Sequence, residues 1–251
     1  NGNITSDDRI VKALPTIKKI LDDGGALILM SHLGRPKGER NDKMSLAPVA
    51  KRLSELLSQD VIFAEDCIGD DVKTKAAALK DGGCMLLENL RFHSEETIKD
   101  KTAKEDADLR KAKDDFAKQL ADLADVYVDD AFGTAHRDNA SMYTVPVMMG
   151  EKPKVAGYLI EKELKFLGDT LADPEKPFVA ILGGAKVSDK IGVIENLIGK
   201  VDTILIGGAM TYTFHKAQNR QIGDSLCEDD FLDKAEELLE QAKEGGCEIV
   251  L

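Results

Sequence analysis

Residues 26–36 read ALILMSHLGRP. Five apolar residues run without polar alternation and stop at a segment holding His32, Gly34, Arg35 and Pro36. Such a run suits a strand covered on both faces, as in a parallel sheet. The same form recurs at residues 61–64 (VIFA), 85–87 (MLL), 126–128 (VYV), 178–182 (FVAIL), 203–206 (TILI) and 249–251 (IVL).

Helical patterns fill the intervals. Ser45 is placed to cap a helix running through Leu57, with Ala50, Leu53 and Leu57 on one face. Phe231, Leu232, Ala235, Leu238, Leu239 and Ala242 trace an amphipathic stripe, which Gly245-Gly246 ends. A first helix over residues 6–22 contains Pro15, expected to kink it or mark a restart. Residues 94–115 are dense in charge and read as a loop and a solvated helix. Strand–helix alternation predicts a doubly wound α/β architecture. Gly150 and Pro153 break the pattern and divide the chain into domains of residues 1–153 and 154–251. A connecting helix carrying Val155, Leu159, Ile160, Lys162, Leu164 and Phe166 is expected to follow.

Composition narrows the function classes. The chain has 251 residues, 43% of them apolar and 32% charged, with a net charge of −12. That length allows one large domain or two ordinary ones. An acidic surface disfavours nucleic acid as a partner. No apolar run approaches the ~20 residues of a membrane span. Cys67, Cys84, Cys227 and Cys247 lie far apart, which argues against a disulfide framework or a structural zinc site. No basic-then-apolar leader is present, so a cytoplasmic chain with reduced thiols is expected. Asn1-Gly2-Asn3 is a turn signal with nothing before it, and residues 248–251 read as the start of a strand. No initiator methionine is present. A fragment is the expectation.

In open α/β sheets ligands bind beyond the carboxyl ends of the strands. Three of the four histidines fall there, each within three residues of an arginine: His32 with Arg35, His93 with Arg91, His136 with Arg137. If these strands share one sheet, the three pairs line one edge. Arginine forks suit carboxylate or phosphate, and Gly34 and Gly133 allow close backbone approach. The plain alternative is that each arginine pairs with an acid such as Glu88, Asp129 or Asp138. The threefold repetition weighs against it.

The second half carries a different device. Residues 178–182 enter Gly183-Gly184-Ala185-Lys186-Val187-Ser188-Asp189-Lys190, and Gly207-Gly208-Ala209-Met210 repeats the strand–glycine–helix pattern. Such glycines expose N–H groups to phosphates. Lys186 and Lys190, four apart, are expected on one face at the helix start, against the helix dipole. An ordinary solvated lysine pair is the plain alternative, and close packing is that for the second glycine pair. Neither a Walker motif nor G-x-G-x-x-G is present. The two devices together suggest a nucleotide on this half and a small anion on the other.

Six stretches carry a resemblance: MSHLGRPKG (30–38), LLENLRFHSEE (86–96), VDDAFGTAHRDNASM (128–142), GYLIEKELKFL (157–167), ILGGAKVSDKI (181–191) and IGGAMTYTF (206–214). In this order they resemble the phosphoglycerate kinase family. The resemblance implies two Rossmann-like, doubly wound parallel-sheet domains, the second incomplete here, that close about a hinge. It implies reversible phosphoryl transfer between 1,3-bisphosphoglycerate and ADP, giving 3-phosphoglycerate and ATP in glycolysis, with Mg²⁺. His32, Leu33, Gly34 and Arg35 match the phosphoglycerate loop, and Arg91, His136 and Arg137 the other substrate contacts. Arg9, in SDDRIVKALP, and Lys186 match the catalytic contacts to the transferring group. Gly183, Gly184, Ala185, Lys186, Lys190, Gly208 and Ala209 match nucleotide contacts. Ala209 stands where many relatives have glycine.

The family's first strand would precede Asn1. Its magnesium aspartate and second glycine-rich loop would follow Leu251, so the chain offers no recognisable metal ligand. The resemblance therefore leads us to expect no turnover from these 251 residues alone, and a monomer when the chain is complete. Two rivals stay open: a nicotinamide-dependent dehydrogenase, against which the missing G-x-G-x-x-G counts, and a binding protein without turnover.

Overall fold

A computed structural model describes residues 4–251. The chain folds as two compact units, one ending at Glu163 and one beginning at Leu164. The division falls later than the 153/154 position suggested by Gly150 and Pro153.

In the first unit the elements run α1 (Asp8–Asp22), β1 (Leu27–Leu29), α2 (Ala47–Leu57), β2 (Val61–Phe63), α3 (Asp70–Ala77) and β3 (Cys84–Leu86). Then come α4 (Asp100–Glu105), α5 (Ala107–Ala121), β4 (Tyr127–Asp129), α6 (Val145–Met148) and β5 (Lys154–Ala156). The helix α7 (Tyr158–Leu164) ends the unit. β1 and β2 flank β3 in one parallel sheet, with Leu27 and Val61 both opposite Cys84. Successive strand residues face opposite sides, and both sides are covered. Met85 and Leu87 pack with Phe116, Leu120 and Tyr127 on one face. Cys84 packs with Ile17 and Leu53 on the other. This double burial is why the strands read as unbroken apolar runs.

Four local expectations need correction. β4 does not join the β1–β3–β2 sheet; it pairs in parallel with β5, Tyr127 opposite Lys154. Val155 therefore belongs to a strand, not to the following helix. Pro153 has no N–H to continue a helix, but its carbonyl accepts from Tyr127 N–H (2.9 Å) and starts the pairing. α1 runs unbroken through Pro15, held by burial of Thr16 and Ile17 immediately after it. Ser45 does cap α2 from one residue further out, its Oγ accepting from Ala47 N–H (3.2 Å).

The fourth correction is the largest. Residues 94–115 form a 3₁₀ turn (Ser94–Thr97), α4 and part of α5, and two of their charges lie inside the protein. Glu96 is 2% exposed and Lys113 0%. Lys113 shares the inward face of α5 with Phe116 and Ala117, three and four positions on. A fully buried ammonium is tolerated only when paired and hydrogen-bonded. Lys113 Nζ donates to Ile98 O (2.9 Å), Asp100 Oδ1 (2.7 Å) and Asp138 O (2.5 Å).

Three further bonds anchor α7. Asp130 Oδ1 accepts from Leu159 N–H (2.8 Å) and Ile160 N–H (3.2 Å). Tyr158 N–H donates to Thr16 Oγ1 on α1 (2.9 Å).

The second unit holds α8 (Thr170–Ala172), β6 (Val179–Gly183), α9 (Ile191–Leu197), β7 (Thr203–Gly207), α10 (Met210–Ala217), α11 (Leu232–Glu244) and β8 (Glu248–Val250). Its sheet is parallel in the order β6–β7–β8. Ile194, Ile204, Met210, Phe214 and Leu238 form its core. The two glycine turns interlock: Met210 N–H donates to Gly184 O (3.0 Å). Gly208 has φ +79, and a Cβ there would lie 2.6 Å from Gly184 O. Gly223 also has positive φ (+57) but open space around its Cβ position.

Gly208→Ala should therefore cost more than Gly223→Ala. Left-handed strain alone costs about 1–2 kcal/mol, whereas at Gly208 the backbone of the neighbouring turn must also move. Urea unfolding of the two variants, followed through the second unit, checks the order.

Candidate functional site

In the first unit the loops after β1 and β3 are bound to each other from beneath. Glu88 and Asn89, 1% and 0% exposed, supply most of the bonds. Glu88 accepts from Ser45 Oγ (2.7 Å), Leu46 N–H (2.8 Å) and Asn89 N–H (2.8 Å). Asn89 Nδ2 donates to Leu33 O (2.8 Å) and Met44 O (2.9 Å), and its Oδ1 accepts from Arg91 N–H (3.1 Å). Arg91 Nη1 donates to Gly34 O (2.8 Å), closing the frame. Gly34 has φ +66, and a Cβ there would meet Met44 Sδ at 2.8 Å. Neither Glu88 nor Asn89 was singled out from sequence as a framing residue. Polar residues at the end of an apolar strand were the available signal.

On this frame the basic residues converge. His32 is half-buried, and its proton affinity is pushed below the usual histidine range by burial first, then by the charges of Arg91, Arg137 and Arg9. Burial, and then Arg137 and Arg35, likewise disfavour the charged form of Arg91, against the pull of Glu96. Arg91 Nε is buried with no partner. Among the described residues none of Arg9, Arg35, Arg91 or Arg137 forms an ion pair.

The acids that could have paired with them are bonded elsewhere. Glu88 holds the frame, Asp129 Oδ1 accepts from Ala131 N–H (2.9 Å), and Asp138 accepts from Lys99 Nζ (3.0 Å) and Asp100 N–H (2.8 Å). Unpaired arginines drawn together in a chain of net −12 make a site for an anion. His136 is exposed beside Arg137, and Leu33 reaches the frame through its carbonyl. His93 does not join them: its Nε2 lies 2.6 Å from Asp66 Oδ1 and its ring packs on Phe116.

In the second unit Gly183 ends β6, and Gly184, Ala185 and Lys186 form the loop beyond it. The expected lysine pair on one helical face is not formed. α9 begins at Ile191, so Lys190 is its cap and Lys186 lies in the loop before it. The stem of Lys190 runs over Gly184, whose absent Cβ would lie 3.9 Å from Lys190 Cε. Gly208 and Ala209 sit at the second turn, across from Gly184. Glu228 fastens the loop, accepting from Ser188 Oγ (2.6 Å) and N–H (3.1 Å). Burial works against its ionisation, yet these bonds, one from Val187, and the charge of Lys186 hold its carboxyl below the usual range. Glu228 is forty residues from Ser188, and no spacing rule would have linked them.

A groove of about 670 Å³ is lined by Asn219, Leu239, Cys247 and Glu248 among others. It opens at the amino-terminal end of β8, at the end of the sheet opposite the glycine turns, and holds none of these residues. Among the described residues one group, Asp66, Cys67 and His93, could offer three metal ligands. Its atoms are already engaged. The Cys67 thiol donates to Glu88 O (2.9 Å), and burial, then Asp66, Glu88 and Glu96, push its ionisation far up. Asp66 and His93 sit at hydrogen-bond distance, closer than the roughly 3.3 Å between two ligands of a tetrahedral zinc. A hard cation such as Mg²⁺ takes oxygen ligands, and this group does not fit one.

Comparison with known proteins bears on the family and the fold. The family model described as phosphoglycerate kinase matches residues 1–251. A phosphoglycerate kinase of Chlorobium phaeobacteroides (strain DSM 266) is 58% identical over 253 residues, covering 99% of this chain and 59% of that protein. One from Prosthecochloris aestuarii is 55% identical, covering 96% of this chain and 57% of its own length. The solved phosphoglycerate kinase of Coxiella burnetii superposes with a TM-score of 0.79 at 41% identity, over 100% of this chain and 59% of that one. That of Pyrococcus horikoshii gives 0.73 at 30% identity, over 99% and 60%. This chain thus spans about three fifths of the length of these relatives. Matched along its whole length by the family's model and by its structures, the chain belongs to the phosphoglycerate kinase family.

Proposed function

We propose that this chain serves reversible phosphoryl transfer between 1,3-bisphosphoglycerate and ADP, and that its first unit holds the phosphoglycerate. The observation that carries the reading is the convergence of Arg9, Arg91 and Arg137 on His32, with Arg35 acting on Arg91, and no ion pair to any of the four among the described residues. The glycine turns with Lys186 and Lys190 take the nucleotide phosphates in the second unit.

The chemistry asks little of proton transfer. A β-phosphate oxygen of ADP forms a bond to phosphorus as the bond to the acyl oxygen breaks. The leaving group is a carboxylate, which needs no general acid, and the attacking oxygen carries no proton to remove. Positioning and charge neutralisation are the requirements. Arg35, Arg91 and Arg137 hold the non-reacting end, and His32 and His136 add hydrogen bonds. Arg9 and Lys186 answer the charge on the group in transfer. Mg²⁺ would neutralise nucleotide phosphates when bound; the described residues supply no fitting ligand set, and no step here passes through it. A cytoplasmic location, a monomeric state and small-molecule partners alone belong to the same reading. The lack of a G-x-G-x-x-G turn disfavours the dehydrogenase alternative.

Calorimetry with 3-phosphoglycerate tests the division of roles. Arg91→Ala and Arg137→Ala should each weaken binding by about tenfold or more, since a hydrogen bond to a charged group contributes roughly 1.5–3 kcal/mol. ADP affinity should stay within a factor of about two; lost ADP affinity with phosphoglycerate binding intact would reverse the assignment.

Titration of His32 by NMR provides a second check. Its folded-state value should lie below the ordinary 6.5, and bound phosphoglycerate should raise it by neutralising the arginines. Because folding lowers this value, the unfolded chain binds more protons just below the ordinary range. The protein should lose stability as pH falls through that window, and His32→Asn should flatten the slope.

In a chain completed to the length of its relatives, Lys186→Ala should lower kcat by about 10²–10³-fold, the scale for one preorganised electrostatic contact, with ADP affinity little changed. Lys190→Ala should act mainly on nucleotide KM. Near-wild-type kinetics for both would return these lysines to the solvated surface.

A further inference from the structure

The segment that follows Arg137 is held by a set of buried bonds that the anion-site reading does not use. Asp138 O accepts from the buried ammonium of Lys113 at 2.5 Å. The Asp138 carboxylate takes Asp100 N–H at 2.8 Å and Lys99 Nζ at 3.0 Å. Asn139 Nδ2 donates to Glu96 Oε1 at 3.1 Å. Ser141 gives Glu96 both its N–H (2.9 Å, to Oε2) and its hydroxyl (2.7 Å, to Oε1). Tyr127 Oη donates to Ser141 O at 2.9 Å. Residues 138–141 are thus joined to residues 96–100 through two groups that are 2% and 0% exposed, Glu96 and Lys113.

Residues 96–100 are also the continuation of the strand-end loop that carries Arg91. A 3₁₀ turn at Leu90–Phe92 leads through His93 into the turn at Ser94–Thr97. The clamp therefore ties the segment after Arg91 to the segment after Arg137. These two arginines repel each other, and neither has an acid partner among the described residues. Arg91 is held through Nη1 by Gly34 O, whereas Arg137 is exposed and without restraint would swing toward solvent. Burying two opposite charges to make this junction is expensive, and an apolar pair of similar volume would often be no less stable. What the two buried groups provide is direction: Lys113, ion-paired with Asp100, donates to three fixed acceptors, and the Glu96 carboxylate accepts from three fixed donors, so the loop has one seat.

We propose that Glu96 and Lys113 are positioning residues of the anion site, clamping residues 138–141 so that Arg137 is held against Arg91 and His32. The inference deepens the phosphoglycerate reading and rests on it for the ligand, though not for the geometry. Neither residue touches the bound anion; both act through the arginine pair.

The groups facing His32 are Arg9 from α1, Arg91 after β3 and Arg137 after β4. His32 titration therefore reports the arginine cluster whether or not a ligand binds. Glu96→Gln and Lys113→Met are compared with wild type and with Arg137→Ala, by His32 NMR titration and by calorimetry with 3-phosphoglycerate and, separately, ADP. If the clamp positions Arg137, both variants raise the His32 value toward the 6.5 of an ordinary histidine, as Arg137→Ala does. For Glu96→Gln the sign is diagnostic, since deleting a negative charge without movement would lower it. Phosphoglycerate affinity should fall by about tenfold, the equivalent of 1.4 kcal/mol, with ADP affinity unchanged.

Ser141→Ala, which removes only the hydroxyl bond to Glu96, gives a smaller shift of the same sign and serves if either larger change prevents folding. A folded Glu96→Gln protein, less stable but with His32 titration and phosphoglycerate affinity unchanged, would overturn the proposal. If wild type binds no 3-phosphoglycerate while the variants still shift His32, the functional reading fails and the clamp stands.

Discussion

Like charges brought together without ion-pair partners are the constraint on which the loops of the first unit depend. Arg9, Arg91 and Arg137 share the surroundings of one half-buried histidine, with Arg35 acting on Arg91, and electrostatic repulsion alone would scatter them. They stay because the backbone beneath them is fixed by groups that carry no net cationic charge. Asn89 and Glu88 tie the loop after β3 to the loop after β1 and to the start of α2. Buried and bonded on several sides, these two side chains hold a repulsive cluster in place.

The second unit solves a different problem with the same sheet design. Its glycines are used twice: some leave the backbone bare at the strand ends, and Gly208 lets one turn nest on the next. Where Gly184 O accepts from Met210 N–H, that carbonyl serves the fold and is unavailable to a ligand. The glycine signal in a sequence therefore mixes architecture with recognition, and only the interlocked turns show which residue does which.

Most strands were legible: burial on both faces produces an unmistakable apolar run, as at residues 85–87, and residues 178–182 read the same way although Val179 and Ile181 on one face are exposed. β5 was not, because an exposed edge strand of three residues, Lys154, Val155 and Ala156, has no such run. The basic residues of the site stood out through their repetition after successive strands. Their supports did not. Lys113 sits in a charge-dense helix and looks solvated by composition; only the register of Phe116 and Ala117 beside it places it inside. Glu96, Glu88 and Glu228 are acids whose partners are tens of residues away, beyond any local pattern. The lysines at 186 and 190 were spaced like a helical pair, but the helix begins only at Ile191, since the glycine turn consumes the residues between.

One bond described above spans most of the first unit's chain. Thr16 near the middle of α1 accepts from the backbone of Tyr158, 142 residues later. A ribosome adding residues in order leaves α1 without this partner until α7 emerges, and the entropy of closing so long a loop must be met before the contact returns anything. The first unit thus cannot complete itself piecemeal from its amino terminus. Its earliest helix is seated by nearly the last segment of the unit to be made.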